Sequence, residues 1–261
     1  MTTEFLVARR DIIASRLAAG HEVVATTLAH EFSVSEDAIR RDLRALAAEG
    51  RCRRVYGGAL PPLPVSPAST PFIQRMGEDV NRKAALAQAA AALVQPAECI
   101  FLDNGSSNLA IVGLLPRDYE LTVATNSVQI AAELLRRGDV QLIMLGGVVD
   151  NGTGGCTGAQ AVEQVRLLNI DRCFLGACAV SAGIGIGAFD PADAVFKRVL
   201  LTASAQVAVL ATTDKLETRA PYRVSTVADI DQLIVEHDAP PASVAALVRA
   251  GAVIVTAAPP A

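Results

Sequence analysis

Residues 60 to 71 read LPPLPVSPASTP and hold five of the chain's thirteen prolines. Proline lacks a backbone donor and locks its own φ, so neither a helix interior nor a central strand can run through this stretch. It reads as a stiff, extended connector that divides the 261 residues into a short segment, 4–59, and a long one, 72–261. Charge divides at the same place. Six arginines between Arg40 and Arg54 face only Asp42 and Glu49, while from Leu60 onward 19 acidic residues outnumber 14 basic ones. The overall charge of −4 conceals this arrangement, which suits one polyanion-binding module joined to a module with another task.

The short segment has a helical rhythm. Phe5, Ile12, Ile13, Arg16 and Leu17 follow a 3.6-residue period that stops at Gly20. A second helix over residues 26–32 turns Leu28, Ala29 and Phe32 inward, although Val24 and Ala25 are poor caps. Ser33 and Val34 make a turn, and Ser35 caps a third helix with Glu36 and Asp37 against its positive end. On that helix Ile39, Leu43 and Leu46 share one face, and Asp37, Arg40, Arg41 and Arg44 share the other.

Two readings fit the charged face. Glu36–Arg40 and Asp37–Arg41 are i,i+4 pairs that would support a merely solvated helix by roughly 0.2–0.5 kcal/mol each. A short helix, a tight turn and a capped helix are also the parts of a helix-turn-helix, whose second helix enters the major groove. Arginine suits that place, because its planar fork can grip a guanine edge or a phosphate with two bonds. Beyond Gly50, the alternation in RCRRVY suggests a basic strand, with Gly57-Gly58 as its turn, placed as a wing.

The stretch VSEDAIRRDLRALAAEGRCRRVYGGA, residues 34–59, resembles the N-terminal signature of DeoR-type bacterial transcriptional regulators. That pattern has VS, a TIRRDL core, a glycine, a basic strand and HGGA. Here Ala38 replaces the usual threonine and Tyr56 the usual histidine. The resemblance implies a winged helix-turn-helix bound to a double-stranded operator. Ser35, Ala38, Arg40 and Arg41 lie in the first turns, which reach base edges. Arg44, Arg53 and Arg54, together with Tyr56, are placed for phosphates. Phosphate contacts set affinity and its salt dependence, while base contacts set sequence choice.

The long segment changes period. Short apolar runs at 99–103, 121–125, 141–145, 172–176, 206–211 and 232–236 alternate with helical stretches, which implies a mainly parallel α/β sheet covered on both faces. Polar turns follow four of these runs: Asn104-Gly105-Ser106-Ser107, Asn126-Ser127, Gly146-Gly147 and Thr212-Thr213-Asp214-Lys215. Ligands of open α/β sheets bind at the carboxyl ends of the strands. Gly105 and the two serines at a helix start could cradle a phosphate. Ordinary βα turns favour the same residues for conformational reasons. The glycines of GIGIG, residues 183–187, lack the spacing of a dinucleotide loop.

The resemblance extends through this segment to the DeoR-type effector domain, which shares its fold with ribose-5-phosphate isomerase and CoA-transferases. Leu102 to Ser107 stand where the family has LDsGTT, Thr125-Asn126-Ser127 where it has TNS, and Leu145-Gly146-Gly147 where it has LGG. Lys83, the pair Asp193 and Lys197, and Lys215 match family positions, with Asp193 in place of glutamate and Thr212 in place of an aspartate. The resemblance implies a phosphorylated sugar held by Lys83, Asp103, Gly105, Ser106, Ser107, Thr125, Asn126, Gly146, Gly147, Asp193, Lys197 and Lys215. It also implies a repressor of a carbohydrate-catabolism operon that works as a homo-oligomer. The alternative is an isomerase-like enzyme with an accessory DNA module, using Asp103 or Asp193 as its base. A shared fold does not confer the reaction, so the chain is read as non-enzymatic.

Five cysteines without CxxC spacing and three isolated histidines (His21, His30, His237) give no zinc pattern. No metal and no cofactor is expected. The N-terminus lacks an apolar signal-peptide core and no stretch reaches the ~20 apolar residues of a spanning helix, so a cytoplasmic protein with no membrane partner is expected.

Overall fold

The computed structural model describes residues 2–63, 66, 70 and 72–260, and the side chains of residues 2–8 lie outside the description. The connector is therefore described only in part, and the expectation for Phe5 falls outside it. The chain separates into two compact units, Met1–Pro64 and Val65–Ala261.

The first unit runs α1 (Thr2–Ala18), β1 (Val23–Val24), α2 (Ala25–Glu31), α3 (Glu36–Ala48), β2 (Arg53–Val55) and β3 (Gly58–Leu60). Ile13, Leu17, Leu28, Ile39, Leu43 and Leu46 form its core. Ile12, counted in the helical rhythm, is 44% exposed, because the adjacent Ile13 occupies the buried stripe with Leu17. Phe32 is half-buried and lies under the Arg16 guanidinium at 6.0 Å. Ser35 caps α3 as expected, its Oγ accepting from the Ala38 N–H at 3.3 Å.

The three strands form an antiparallel sheet in the order β1-β3-β2. Gly58 belongs to β3 and pairs with Val24, so the hairpin turn is Tyr56-Gly57 rather than Gly57-Gly58. A Cβ at Gly58 would stand 2.0 Å from the Val23 carbonyl oxygen. The second glycine of the pair thus admits a neighbouring strand.

The second unit is built on a seven-stranded sheet, every neighbouring pair parallel. Its strands in sequence are β4 (Cys99–Leu102), β5 (Thr122–Thr125), β6 (Gln141–Met144), β9 (Ile170–Leu175), β12 (Ser204–Ala211), β14 (Gln232–Val235) and β15 (Ile254–Thr256). They lie side by side in the order β15-β14-β12-β9-β4-β5-β6. The helices are α4 (Phe72–Met76), α5 (Val80–Ala91), α6 (Ser106–Ile111), α7 (Val128–Leu134), α8 (Ala159–Val165), α9 (Pro191–Ala203) and α10 (Pro241–Arg249).

Alternation along the strands feeds two cores. Phe101, Cys173 and Val209 pack with Phe196 and Leu200 of α9, while Ile100, Leu102 and Leu210 pack with Leu86 of α5 and Ile130 of α7. This is why the strands read as continuous apolar runs. Two small antiparallel pieces are additions: β7 (Val149–Asp150) with β8 (Gly155–Cys156), and β10 (Ala179–Ser181), β11 (Gly185–Ala188) and β13 (Tyr222–Ser225). Most of the GIGIG stretch lies in β11 of the second piece.

Candidate functional site

In the first unit the outer face of α3 carries the expected arginines. Arg40 is engaged, its guanidinium pairing with Glu36 at 2.8 Å and Asp37 at 3.6 Å. The expected Asp37–Arg41 ion pair does not form. Arg41 Nε donates instead to the Asp37 backbone carbonyl at 3.3 Å, because the Asp37 carboxylate is turned toward Arg40. Arg44 Nε likewise donates to the Arg40 carbonyl at 3.3 Å. Among the described residues, the guanidiniums of Arg41 and Arg44 therefore have no carboxylate partner, and both residues are exposed.

Ser35 is exposed and Ala38 half-buried beside them. On the wing Arg54 is exposed and Tyr56 is fully exposed at the turn, whereas Arg53 is half-buried and donates to the Pro61 carbonyl at 3.3 Å. Asp42 was not singled out, yet it is buried and ion-paired with Arg9 at 2.6 Å, which ties α3 to α1. Its place beside Ile39, Leu43 and Leu46 on the inner face was the available signal.

In the second unit a cleft opens at the carboxyl ends of β4, β9 and β12. Asp103 ends β4 and is wholly buried. Its Oδ1 accepts from the Asn104 N–H at 2.8 Å, and its Oδ2 accepts from the Gly176 N–H at 2.8 Å and pairs with Lys197 Nζ at 2.7 Å. A Cβ at Gly176 would meet the Asn104 carbonyl oxygen at 2.6 Å, so glycine permits this approach. Lys197, one turn along α9 from Asp193, also pairs with that carboxylate at 2.7 Å and donates to Asn104 Oδ1 at 3.2 Å. Burial pushes the Asp103 carboxyl up, with Lys197 opposing. Burial also works against the Lys197 ammonium, but Asp103 and Asp193 outweigh it and hold it above the usual lysine range. The triad is closed on itself.

Around the triad the cleft is lined by Gly105, Ser106, Ser107, Asp193, Lys197 and Lys215, together with Arg75, Thr153 and Cys178, which were not foreseen. Lys83 lies on an adjoining lobe that shares Arg75, Ser106 and Lys215. Its Nζ donates to the Arg75 and Glu78 carbonyls, holding the entry to α5. Burial pushes both Lys83 and Lys215 down from the usual lysine range. Three polar atoms along the main lobe stand out. Ser107 Oγ and Thr153 Oγ1 are buried with no partner, and Lys215, 7% exposed, has no hydrogen bond or ion pair to its Nζ among the described residues.

Other expected site residues lie beneath or beside the cleft without lining it. Thr125 Oγ1 donates to the Leu102 carbonyl at 2.6 Å, and Asn126 bridges the Asn104 N–H and the Cys156 carbonyl. Gly146 and Gly147 pack against α8, where the Gly146 N–H donates to Gln164 Oε1 at 3.0 Å. Asp103 is sealed under Asn104 and Gly176. Among the described residues no group of three or more His, Cys, Asp or Glu is placed to hold a metal ion, and no helix is long and apolar enough to cross a membrane.

A winged helix-turn-helix with an open arginine face, joined to a parallel α/β unit with a polar cleft at its strand ends, defines a class of transcription regulators. Residues 9–62 match the DeoR-like helix-turn-helix domain, and residues 78–237 match the DeoR C terminal sensor domain. The chain is 34% identical over 245 residues to the uncharacterized HTH-type transcriptional regulator YgbI of Escherichia coli (strain K12), covering 93% of this chain and 94% of that one. It is 28% identical to the glycerol-3-phosphate regulon repressor of the same strain, covering 82% and 83%. Among solved structures, ribose 5 phosphate isomerase A from Neisseria gonorrhoeae aligns with a TM-score of 0.38 at 16% identity, covering 52% of this chain and 53% of that one. The chain belongs to the DeoR family of transcriptional regulators.

Proposed function

We propose that the protein is a repressor of a carbohydrate-catabolism operon and that a phosphorylated sugar, or a related small anion, entering the cleft controls its hold on DNA. The observation that carries the effector reading is the set of unpartnered polar atoms, Lys215 Nζ, Ser107 Oγ and Thr153 Oγ1, along one cleft. Buried hydroxyls without a partner cost free energy that a multi-oxygen anion would recover, and the Lys215 ammonium beside them would pair with its charge. Arg75 adds positive charge to this lobe, while the adjoining one sets Lys83 among Glu78, Asp79 and Asp214. The name of the glycerol-3-phosphate regulon repressor, a relative along most of its length, fits the same ligand class.

In the DNA-binding unit, Ser35, Ala38, Arg40 and Arg41 read base edges, and Arg44, Arg53, Arg54 and Tyr56 hold phosphates. Arg41, with no carboxylate partner, is the base reader of first rank, while Arg40 must first leave Glu36 and Asp37. One small unit makes few contacts, so a homo-oligomer presents two of them to paired half-sites. The cytoplasm is where such a regulator works. An isomerase role fits poorly, because Asp103 is wholly buried with both oxygens engaged by Asn104, Gly176 and Lys197, and Asp193 is paired with the same lysine.

A thermal-shift panel of phosphosugars tests the effector reading. At a hundred times Kd a true effector stabilises by about 2.7 kcal/mol. Its unphosphorylated sugar should do nothing, and Lys215→Met should abolish the shift. A panel with no stabilising compound refutes the reading.

A further inference from the structure

Cys178 is half-buried and lines the same cleft as Lys215 and Ser107. Its backbone is held on both sides: its N–H donates to the Gly187 carbonyl at 3.1 Å, and its carbonyl accepts from Ser66 Oγ. The thiol therefore sits on a fixed wall. It shares the lining of the cleft with Lys197 and Lys215.

Arg75, Lys197 and Lys215 line this lobe against Asp193, with Asp103 buried beneath, while Glu78, Asp79 and Asp214 line the adjoining one. Lys197 is matched by Asp103 and Asp193, so Arg75 and Lys215 are the cleft cations without a carboxylate partner among the described residues. The other cysteines do not line this cleft. Cys52, Cys156 and Cys173 are buried, and burial pushes each thiol up. Cys99 is half-buried, but its thiol is pushed up by burial and further by Asp171, whose carboxylate accepts the Cys99 N–H at 2.8 Å. Three cations against Asp193 and the buried Asp103 leave the lobe beside Cys178 positive, whereas a carboxylate, Asp171, stands beside Cys99.

We propose that Cys178 is a covalent modification site for small anionic electrophiles, of the class of α,β-unsaturated carbonyl compounds that carry an acid group. In the reaction the sulfur bonds to the β-carbon and the C=C π pair moves to the α-carbon. That carbon takes up a proton in place of the one lost by the thiol, so S–H adds across the double bond and no oxidant is needed. The adduct occupies the cleft that Ser107 and Lys215 also line. Its regulatory consequence, a repressor that no longer answers its effector, rests on the function proposed above; the site itself does not.

The test is competitive alkylation of the full-length protein with iodoacetate and its neutral counterpart iodoacetamide, read peptide by peptide by mass spectrometry. In both reagents the sulfur displaces iodide, and their intrinsic difference in reactivity cancels when the labelling ratio is compared between two cysteines. The ratio of iodoacetate to iodoacetamide labelling should be at least about tenfold higher at Cys178 than at Cys99, the low end of what a cleft of one sign achieves. A large excess of inorganic phosphate should slow Cys178 labelling, Lys215→Met should shrink the ratio, and Cys178→Ser should remove the labelled peptide. Equal ratios at the two cysteines, or labelling indifferent to phosphate, overturn the proposal. The ratio involves no phosphosugar and no DNA, so an effector screen can fail while it stands, and the converse also holds.

Discussion

Replacing Lys197 by methionine removes the cation from beneath the cleft while keeping an unbranched side chain of similar reach. Asp103 and Asp193, both nearly inaccessible to solvent, then lose the ammonium that stands 2.7 Å from each. Breaking a buried pair by removing one partner costs about 3–5 kcal/mol, because the remaining charge is left uncompensated. The loss should depend on pH in a definite direction. Burial already pushes Asp103 up, and without Lys197 nothing comparable opposes it. The folded variant then holds protons that the unfolded chain releases near pH 4, so its stability is intact below the unfolded carboxylate pKa and falls as pH rises through the elevated folded value. Urea unfolding of the full-length protein, following the transition of the larger unit, measures this. The deficit should approach the full ~3–5 kcal/mol near neutral pH and shrink toward the cost of the lost hydrogen bonds, about 1 kcal/mol each, in acid. A pH-independent deficit under about 1 kcal/mol would show that the triad is not the closed ionic unit described.

Four further outcomes follow from single residues. Arg41→Ala should weaken a specific operator by about 1–3 kcal/mol while changing random DNA less, and Arg54→Ala should weaken both alike and lower the salt slope by about one; equal losses for Arg41→Ala on both DNAs would move it to the phosphate group. Gly58→Ala places a Cβ 2.0 Å from the Val23 carbonyl oxygen, so the wing must shift, at a cost of about 1–3 kcal/mol to the first unit; an unchanged unfolding midpoint would contradict the strand pairing. Arg137 grips Asp139 through Nε at 2.9 Å and through Nη2, and holds its carboxyl down to about 2. The contribution of that pair is present above the ordinary aspartate pKa and lost as pH falls through the depressed value, so an NMR titration should return Asp139 toward ordinary behaviour in Arg137→Gln.

Much of the architecture was legible because burial writes periodicity into sequence. The Ile39–Leu43–Leu46 stripe, the Ser35 cap and the apolar runs from Cys99 to Val235 all correspond to elements in the fold. The last sheet strand, Ile254–Thr256, was missed because it is short and only half-buried at the sheet edge. The strand at Gly185–Ala188 was missed because its glycines serve close pairing, which leaves no hydrophobic alternation to read.

Within the cleft, Ser106, Ser107 and Lys215 were readable from their turns, since strand ends and helix starts converge there. Arg75, Thr153 and Cys178 were not, because they come from α4, the turn before β8 and the link from β9 to β10. Only the fold brings them together. Thr125, Asn126, Gly146 and Gly147 show the converse, since their motifs are local but their side chains or backbones support neighbouring turns.

The most direct test of the account is gel-shift binding of the full-length protein to its own upstream region, with and without a panel of phosphosugars. Sequence-specific binding that one phosphosugar releases, and that Lys215→Met makes insensitive to that compound, is the predicted result. Absence of specific binding at low salt would contradict the regulatory account at its base.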